Sequence, residues 1–139
     1  MKIQAPPPRY GTAAAIEVLA AILDLPNDGL MQDWSYEVAD SSQVDAYLLL
    51  YKQLTDEDER FVLMEMIIQA IEDQPTQALM DRYCELLRPK LSEDFELHTY
   101  TIFYWASFDN DDLEGCWRIA PYMRQVWQNH TQTPPSNRP

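Results

Sequence analysis

The sequence contains few side-chain combinations that could support metal binding. Its two histidines, His98 and His130, occur in no HxxxH or HExxH spacing, which is the spacing that places zinc ligands on one helix face. Asp94 precedes His98 by four residues, so their side chains could share a face, but two ligands do not complete a site. We therefore predict no metal and no cofactor, with His98 in the core or at its edge.

Catalytic patterns are equally scarce. No serine stands in a GxSxG context, and neither Cys84 nor Cys116 has a histidine nearby in the sequence. The three glycines are scattered, which excludes a glycine-rich phosphate loop. An EF-hand at 109–120 fails, because Gly115 falls at the seventh position and Ala120 replaces the bidentate glutamate. We predict a protein that is not an enzyme. A small enzyme whose carboxylates converge in a cleft is the alternative.

The charge of the chain indicates the kind of partner. Among 139 residues, 23 are acidic and 10 basic, for a net charge of −13. The 46% hydrophobic content and 12% aromatic content exclude an acidic disordered tail. The charge argues against direct binding to nucleic acid or an anionic membrane, and it favours a basic partner. Residues 10–51 and residues 91–117 each hold seven acids and no base.

An acidic segment flanked by aromatic residues is the first candidate contact surface. Its predicted partner-binding residues are Tyr104, Asp109, Asp111, Asp112, Glu114 and Trp117. Aromatic anchors beside charged groups are typical of interface hot spots. The alternative is a solvated loop whose flanking aromatic residues belong to the core.

A second acidic and aromatic segment lies in a connection between predicted helices. We predict that Asp33, Trp34, Tyr36 and Glu37 also contact the partner. The alternative for Trp34 is a role as a core anchor.

The elements that must position these residues are helices. Leu, Ala and Met are frequent, and alternating Val/Ile/Thr runs are missing. Short links favour antiparallel neighbours, so we predict an all-α fold, an antiparallel bundle or short helical stack of six or seven helices. Residues 11–130 form one predicted domain. The Pro-rich flanks, 1–10 and 131–139, are predicted to be flexible.

Capping residues give the predicted starts of several helices. Thr12 begins the first helix, Ser41 or Ser42 begins one that ends near Leu54, and Thr55 begins one that ends near Gln74. The stripe predicted to be buried in this last helix consists of Phe61, Met64, Ile67, Ile68 and Ile71.

The second half of the chain contains two further helix predictions. Pro89 is expected to end a helix whose inner face holds Leu79, Tyr83, Leu86 and Leu87, and Ser92 is expected to cap the next. That next helix, to about Ser107, is apolar nearly all round. It is therefore either buried on both sides or divided between the core and a partner. Pro121 lies in the first turn of a last helix.

The N-terminus gives a prediction of location. Pro6, Pro7 and Pro8 interrupt any early apolar run, and the later run contains Glu17 and Asp24, so we predict no signal peptide. No run approaches the roughly 20 apolar residues of a membrane span. We expect a cytoplasmic protein with Cys84 and Cys116 as reduced thiols.

Four segments carry a resemblance to a known family: DWSYEVAD at 33–40, ERFVLMEMIIQAIED at 59–73, YTIFYWAS at 100–107 and IAPYMRQVW at 119–127. In overall texture they resemble the small acidic immunity proteins that bacteria encode beside polymorphic toxins of Rhs, contact-dependent or type VI systems. The resemblance covers most of residues 30–127. It implies a cytoplasmic inhibitor that binds the toxin domain of its own cell's effector and blocks the active site or substrate entry. It assigns no functional residue.

The charge agrees with that implication. Toxins that attack nucleic acids or nucleotides often have basic clefts, toward which an acidic inhibitor is steered. Aromatic anchors then slow dissociation. The alternative is an acidic helical adaptor or DNA-mimic regulator of a nucleic-acid-binding protein, which shares the charge but has a housekeeping partner.

Overall fold

The computed structural model describes residues 3–29, 33–109 and 116–132, and in these ranges the regular structure is helical. The helices are α1 (Ala13–Leu23), α2 (Trp34–Val38), α3 (Val44–Gln53), α4 (Glu57–Glu72), α5 (Gln77–Glu93), α6 (Phe95–Ala106) and α7 (Ala120–Gln132), with a 3₁₀ turn at Ser41–Gln43. The prediction of an all-α fold with six or seven helices is confirmed. Within the described ranges, no helix is both long enough and apolar enough to cross a membrane.

The chain forms two compact units. Of the described residues, 9–29 and 33–83 make up one, called here the N-terminal unit, and 3–8, 84–109 and 116–132 make up the other, the C-terminal unit.

Helix α4 is the centre of the N-terminal unit. The helices α1, α2 and α3 and the 3₁₀ turn all pack against it. Its buried residues are Phe61, Val62, Leu63, Met64, Met66, Ile67, Ile68, Ala70 and Ile71. The predicted stripe is therefore buried, but burial extends around the helix, as is typical of a helix with neighbours on several sides.

Side-chain caps begin α1, α4 and the 3₁₀ turn, and the sequence identified the first of them. Thr12 Oγ1 accepts a hydrogen bond from Ala15 N over 3.1 Å, as predicted. Asp56, not Thr55, caps α4 by accepting from Glu59 N. Asp40, not a serine, caps the 3₁₀ turn by accepting from Ser42 N. In both cases the cap is the carboxylate of the residue next to the predicted one. A carboxylate ranks with the best caps, and its charge also favours the positive helix end.

A close backbone approach joins the segment before α1 to α4. A Cβ atom added at Gly11 would lie 2.8 Å from Val62 Cγ2, nearer than two carbon atoms can pack. The absence of a side chain at Gly11 therefore lets residues 10 and 11 lie directly against the central helix.

Helix α5 continues past the proline that was predicted to end it. Pro89 lies inside α5, and Ser92 belongs to its last turn, so the residue at the cap position of α6 is Asp94 and not Ser92. The residues buried along α5 are Met80, Cys84, Leu87 and Leu91. Burying Leu91, worth about 2 kcal/mol, offsets much of the roughly 3 kcal/mol that an internal proline costs.

The predicted inner face of α5 also differs from the face that the structure buries. Leu87 is buried as expected, but Leu86 is exposed, and Leu79 and Tyr83 are half-buried. The residues buried in their place are the next ones along the chain, Met80 and Cys84. In these turns two neighbouring helix faces both carry apolar side chains, so periodicity does not choose between them.

In the C-terminal unit, α6 and α7 pack together through aromatic rings. Trp127 lies with its ring centroid 5.9 Å from that of Phe95 and 5.3 Å from that of Phe103. His130 stacks on Phe95 at 3.8 Å. The sequence left two arrangements open for α6, and the structure shows the one in which one side is buried and the other is partly exposed. His98, Ile102 and Trp105 are buried, and Tyr104 is exposed.

Candidate functional site

The side chain of Arg124 binds the C-terminal end of α6. Ser107 adopts a left-handed backbone conformation, with φ of 54°, and ends the helix. Arg124 of α7 donates from Nε to the Ala106 carbonyl oxygen at 2.7 Å and from Nη2 to the Ser107 carbonyl oxygen at 2.6 Å. A cation suits this position, since it meets both the last carbonyls and the negative end of the helix dipole.

The same guanidinium fixes the residues that follow. It lies 5.5 Å from the centroid of the Phe108 ring, and Nη2 also donates to Cys116 Sγ at 3.7 Å. Arg124 therefore contacts the first residue of the connection between α6 and α7, Ser107, and also Cys116, four residues before α7 begins.

An open groove lies beside this helix end. Its volume is about 330 Å³, and it is lined by Tyr100, Phe103, Tyr104, Ser107, Phe108, Asp109 and Trp117. We call it the aromatic groove. Tyr104 is 44% exposed and Trp117 is 36% exposed, so the rings of both reach solvent. None of these described lining residues is basic.

The ring of Trp117 is supported from within the unit. Its centroid lies 4.5 Å from that of Trp105, which is buried, and 5.2 Å from that of Tyr104. Trp117 therefore has both of the roles that the sequence left open, since one part of it packs on the core and another part is exposed.

The predicted acidic and aromatic segment is partly assembled here. Tyr104, Asp109 and Trp117 line one groove although they lie up to 13 positions apart. Asp111, Asp112 and Glu114 lie outside the described residues. The predicted partner-binding residues did not include Tyr100, Phe103 or Phe108, although Phe108 flanks the acidic segment and the other two lie on the α6 face that was left open to a partner. The spacing of Tyr100, Phe103 and Tyr104 on one helix was the available signal, because residues three and four apart are neighbours.

The second predicted segment lies in the N-terminal unit and is mostly structural. Trp34 is 1% exposed, and its Nε1 donates to the Pro26 carbonyl oxygen at 2.7 Å. The role of core anchor is thus the one the structure shows for Trp34. Asp33 and Glu37 are exposed, and Tyr36 is half-buried.

A smaller cavity of about 100 Å³ adjoins this segment. Its lining comprises Tyr10, Gly11, Ile16, Asp33, Trp34, Ser35, Tyr36, Val62 and Glu65. Glu65 projects from α4, and it accepts hydrogen bonds from Ser35 Oγ at 2.8 Å and from Tyr36 Oη at 3.4 Å. Those two bonds tie α2 to the central helix.

The protonation of Glu65 is strongly perturbed. Burial raises its pKa to about 7, against the opposing effect of the two hydroxyl donors, and the nearby carboxylate of Asp33 raises it further. Sequence reasoning missed this residue. The signal was a single acid, Glu65, inside the otherwise apolar run 61–68.

The smaller cavity and the aromatic groove differ in the types of side chain that line them. Asp33 and Glu65 are the carboxylates among the described residues that line the smaller one. In the part of the chain that the structure describes, no three His, Cys, Asp or Glu side chains are grouped so that they could hold a metal ion. His98 is buried in the core, and Cys84 and Cys116 are thiols. The aromatic groove, by contrast, has the composition of a protein-binding surface.

Comparisons with protein-family models, curated proteins and solved structures give no match to this chain.

Proposed function

We propose that this protein is a cytoplasmic, non-catalytic immunity protein. It binds the antibacterial toxin domain encoded beside it and neutralises that domain by covering a basic active-site cleft. The aromatic groove is the proposed contact surface.

One observation carries this proposal: Tyr104, Trp117 and Asp109 lie together around an open groove. Large aromatic side chains that are partly exposed and held from behind are the usual anchors of tight complexes, because little conformational entropy is lost when they are covered. The carboxylate of Asp109 adds the charge that a basic surface would meet.

The charge of the surrounding segment supports the same partner. Residues 91–117 hold seven acids and no base. Charge of one sign near an interface accelerates association with an oppositely charged protein and disfavours acidic competitors. An inhibitor that must act before its toxin does would benefit from such fast association.

Co-expression with the product of the adjacent gene tests the proposal. We expect that product to stop growth alone, and to be harmless when the wild-type protein binds it in a complex visible by size-exclusion chromatography. If the adjacent product is harmless and no complex forms, the proposal fails. A stable complex with a housekeeping nucleic-acid-binding protein in its place would support the adaptor alternative.

Two variants locate the contact surface. Tyr104→Ala removes an exposed ring of the groove and should reduce protection while leaving the circular dichroism spectrum unchanged. Leu49→Ala is the matched control, since Leu49 is 58% exposed and lies in the N-terminal unit. Equal protection by the two variants would exclude the groove from the interface.

A further inference from the structure

Two rings set the character of the aromatic groove. The centroids of Tyr104 and Trp117 lie 5.2 Å apart with their planes inclined at 36°. Trp105 packs behind Trp117 at 4.5 Å and is itself buried. The two rings are thus held in place before any ligand arrives, and each keeps part of its surface open.

The electrostatics of the groove favour a cation. The π faces of tyrosine and tryptophan carry negative potential and attract cations lying within about 6 Å of the ring centre. Asp109 contributes a carboxylate to the same lining, and none of the described lining residues carries a positive charge. A cationic group entering the groove would meet both attractions at once, opposed by the guanidinium of Arg124, which already lies against Phe108 and Ser107. The rings of Tyr104 and Trp117 instead pack against each other and, for Trp117, against Trp105.

The chain shows the same chemistry internally. Arg124 lies over Phe108 at 5.5 Å, Arg60 over Tyr51 at 4.8 Å, and Arg88 over Tyr122 at 5.4 Å. In each case a guanidinium covers an aromatic ring, which shows that this pairing recurs in both units.

We propose that the aromatic groove accepts the guanidinium group of an arginine side chain on the partner. The inference rests on the proposed function, which supplies a basic partner. Arginine suits the groove better than lysine, because a planar, weakly hydrated guanidinium stacks on a ring while its N–H groups reach a carboxylate. A volume of about 330 Å³, equal to roughly ten water molecules, accommodates such a long side chain.

Titration with a single-residue probe tests the proposal directly. Nα-acetyl-arginine amide is added to the full chain at constant ionic strength, and the indole N–H resonance of Trp117 is followed by NMR. We expect saturable binding at millimolar concentration, about fivefold tighter than that of Nα-acetyl-citrulline amide, the neutral isostere. Equal affinities for the two probes, or a Trp117 resonance that neither probe moves, would overturn the proposal.

Two variants supply the controls. Asp109→Asn should weaken binding of the arginine probe about threefold, as expected for an exposed ion pair. Glu17→Gln makes the same change of charge at an exposed position on α1 and should leave binding unchanged. Equal effects of the two variants would show attraction to net charge alone and overturn the assignment to the groove.

The outcome is separable from that of the proposed function. If a toxin complex forms and depends on Tyr104, while the groove does not prefer arginine over citrulline, the proposed function stands and the arginine assignment falls. If the groove prefers arginine but the adjacent gene product forms no complex, the toxin proposal falls and the cation site stands.

Discussion

The guanidinium of Arg124 donates to the carbonyl oxygen of Ser107 over 2.6 Å, and this bond joins α7 to the left-handed residue that ends α6. Ser107 itself lines the aromatic groove, and the same guanidinium lies 5.5 Å from the centroid of the Phe108 ring, which lines it too. One side chain of α7 therefore contacts two residues, Ser107 and Phe108, that line the aromatic groove beside the end of α6.

Arg124→Ala should destabilise the protein and disorder the groove. Two charged hydrogen bonds to helix-end carbonyls are lost, so the free energy of unfolding should fall by about 2–4 kcal/mol, as measured by urea denaturation. Arg82→Ala, at an exposed position of α5, is the control and should change stability by less than about 0.5 kcal/mol. Similar losses for both variants would contradict the role of Arg124.

Asp109→Lys should slow complex formation with the toxin. At low ionic strength we expect the association rate constant to fall several-fold, up to about tenfold, because local charge steers encounter. Stopped-flow mixing measures the rate, and added salt should reduce the difference. Glu17→Lys changes the net charge equally and should stay within about twofold of the wild type. An unchanged rate for Asp109→Lys removes this residue from the interface.

Stability should decrease as the pH rises through neutrality, because of Glu65. Its pKa in the folded protein is about 7 against an ordinary 4.5, so folding disfavours the ionised form. The contribution is fully present below pH 4.5 and is lost as pH rises through 7, with a total loss of about 3 kcal/mol. Chemical denaturation between pH 5 and pH 8.5 measures this loss.

Glu65→Gln should remove most of that decline. The variant should match the wild type near pH 5 and exceed its stability above pH 8, since the amide cannot ionise but can still accept from Ser35. Glu17→Gln should leave the decline unchanged. Parallel stability curves for wild type and Glu65→Gln would show that Glu65 ionises normally.

The cap of α4 gives a local prediction. Asp56→Ala should lower the free energy of unfolding by about 1 kcal/mol, because the N–H of Glu59 loses its acceptor. Thr55→Ala is the matched control and should cost only a few tenths of a kcal/mol. The reverse order of the two effects would mean that the threonine hydroxyl is the cap.

Features governed by local chemistry were predictable from the sequence. Thr12 begins α1 as expected, and the apolar periodicity located α4 and its buried stripe. The errors arose where two local options were close in energy. Asp56 and Thr55 are both good caps, and only the backbone conformation selects between them.

Features governed by tertiary packing were not predictable. Pro89 disfavours a continuous helix by local rules, yet α5 continues past it to Glu93, with Leu91 buried beyond the proline. The pKa of Glu65 depends on α2, whose residues lie about 30 positions away in the chain. The candidate site was predictable only in part, for the same reason. The residue types of Tyr104, Asp109 and Trp117 indicated an interface. Arg124, which contacts the residues after α6, belongs to another helix and was not assigned to the site.

The position of α4 bears on how the N-terminal unit opens. Because α1, α2 and α3 each have α4 as a principal packing partner, detachment of one of them leaves the main contacts of the others in place. Local unfolding should therefore involve one peripheral helix at a time. We expect the backbone amides of α1 and α2 to exchange hydrogen early, and those of α4 to exchange only when the whole unit unfolds. Such a scaffold should tolerate insertions at an exposed connection, such as 27–29, more readily than a single substitution in the central helix α4.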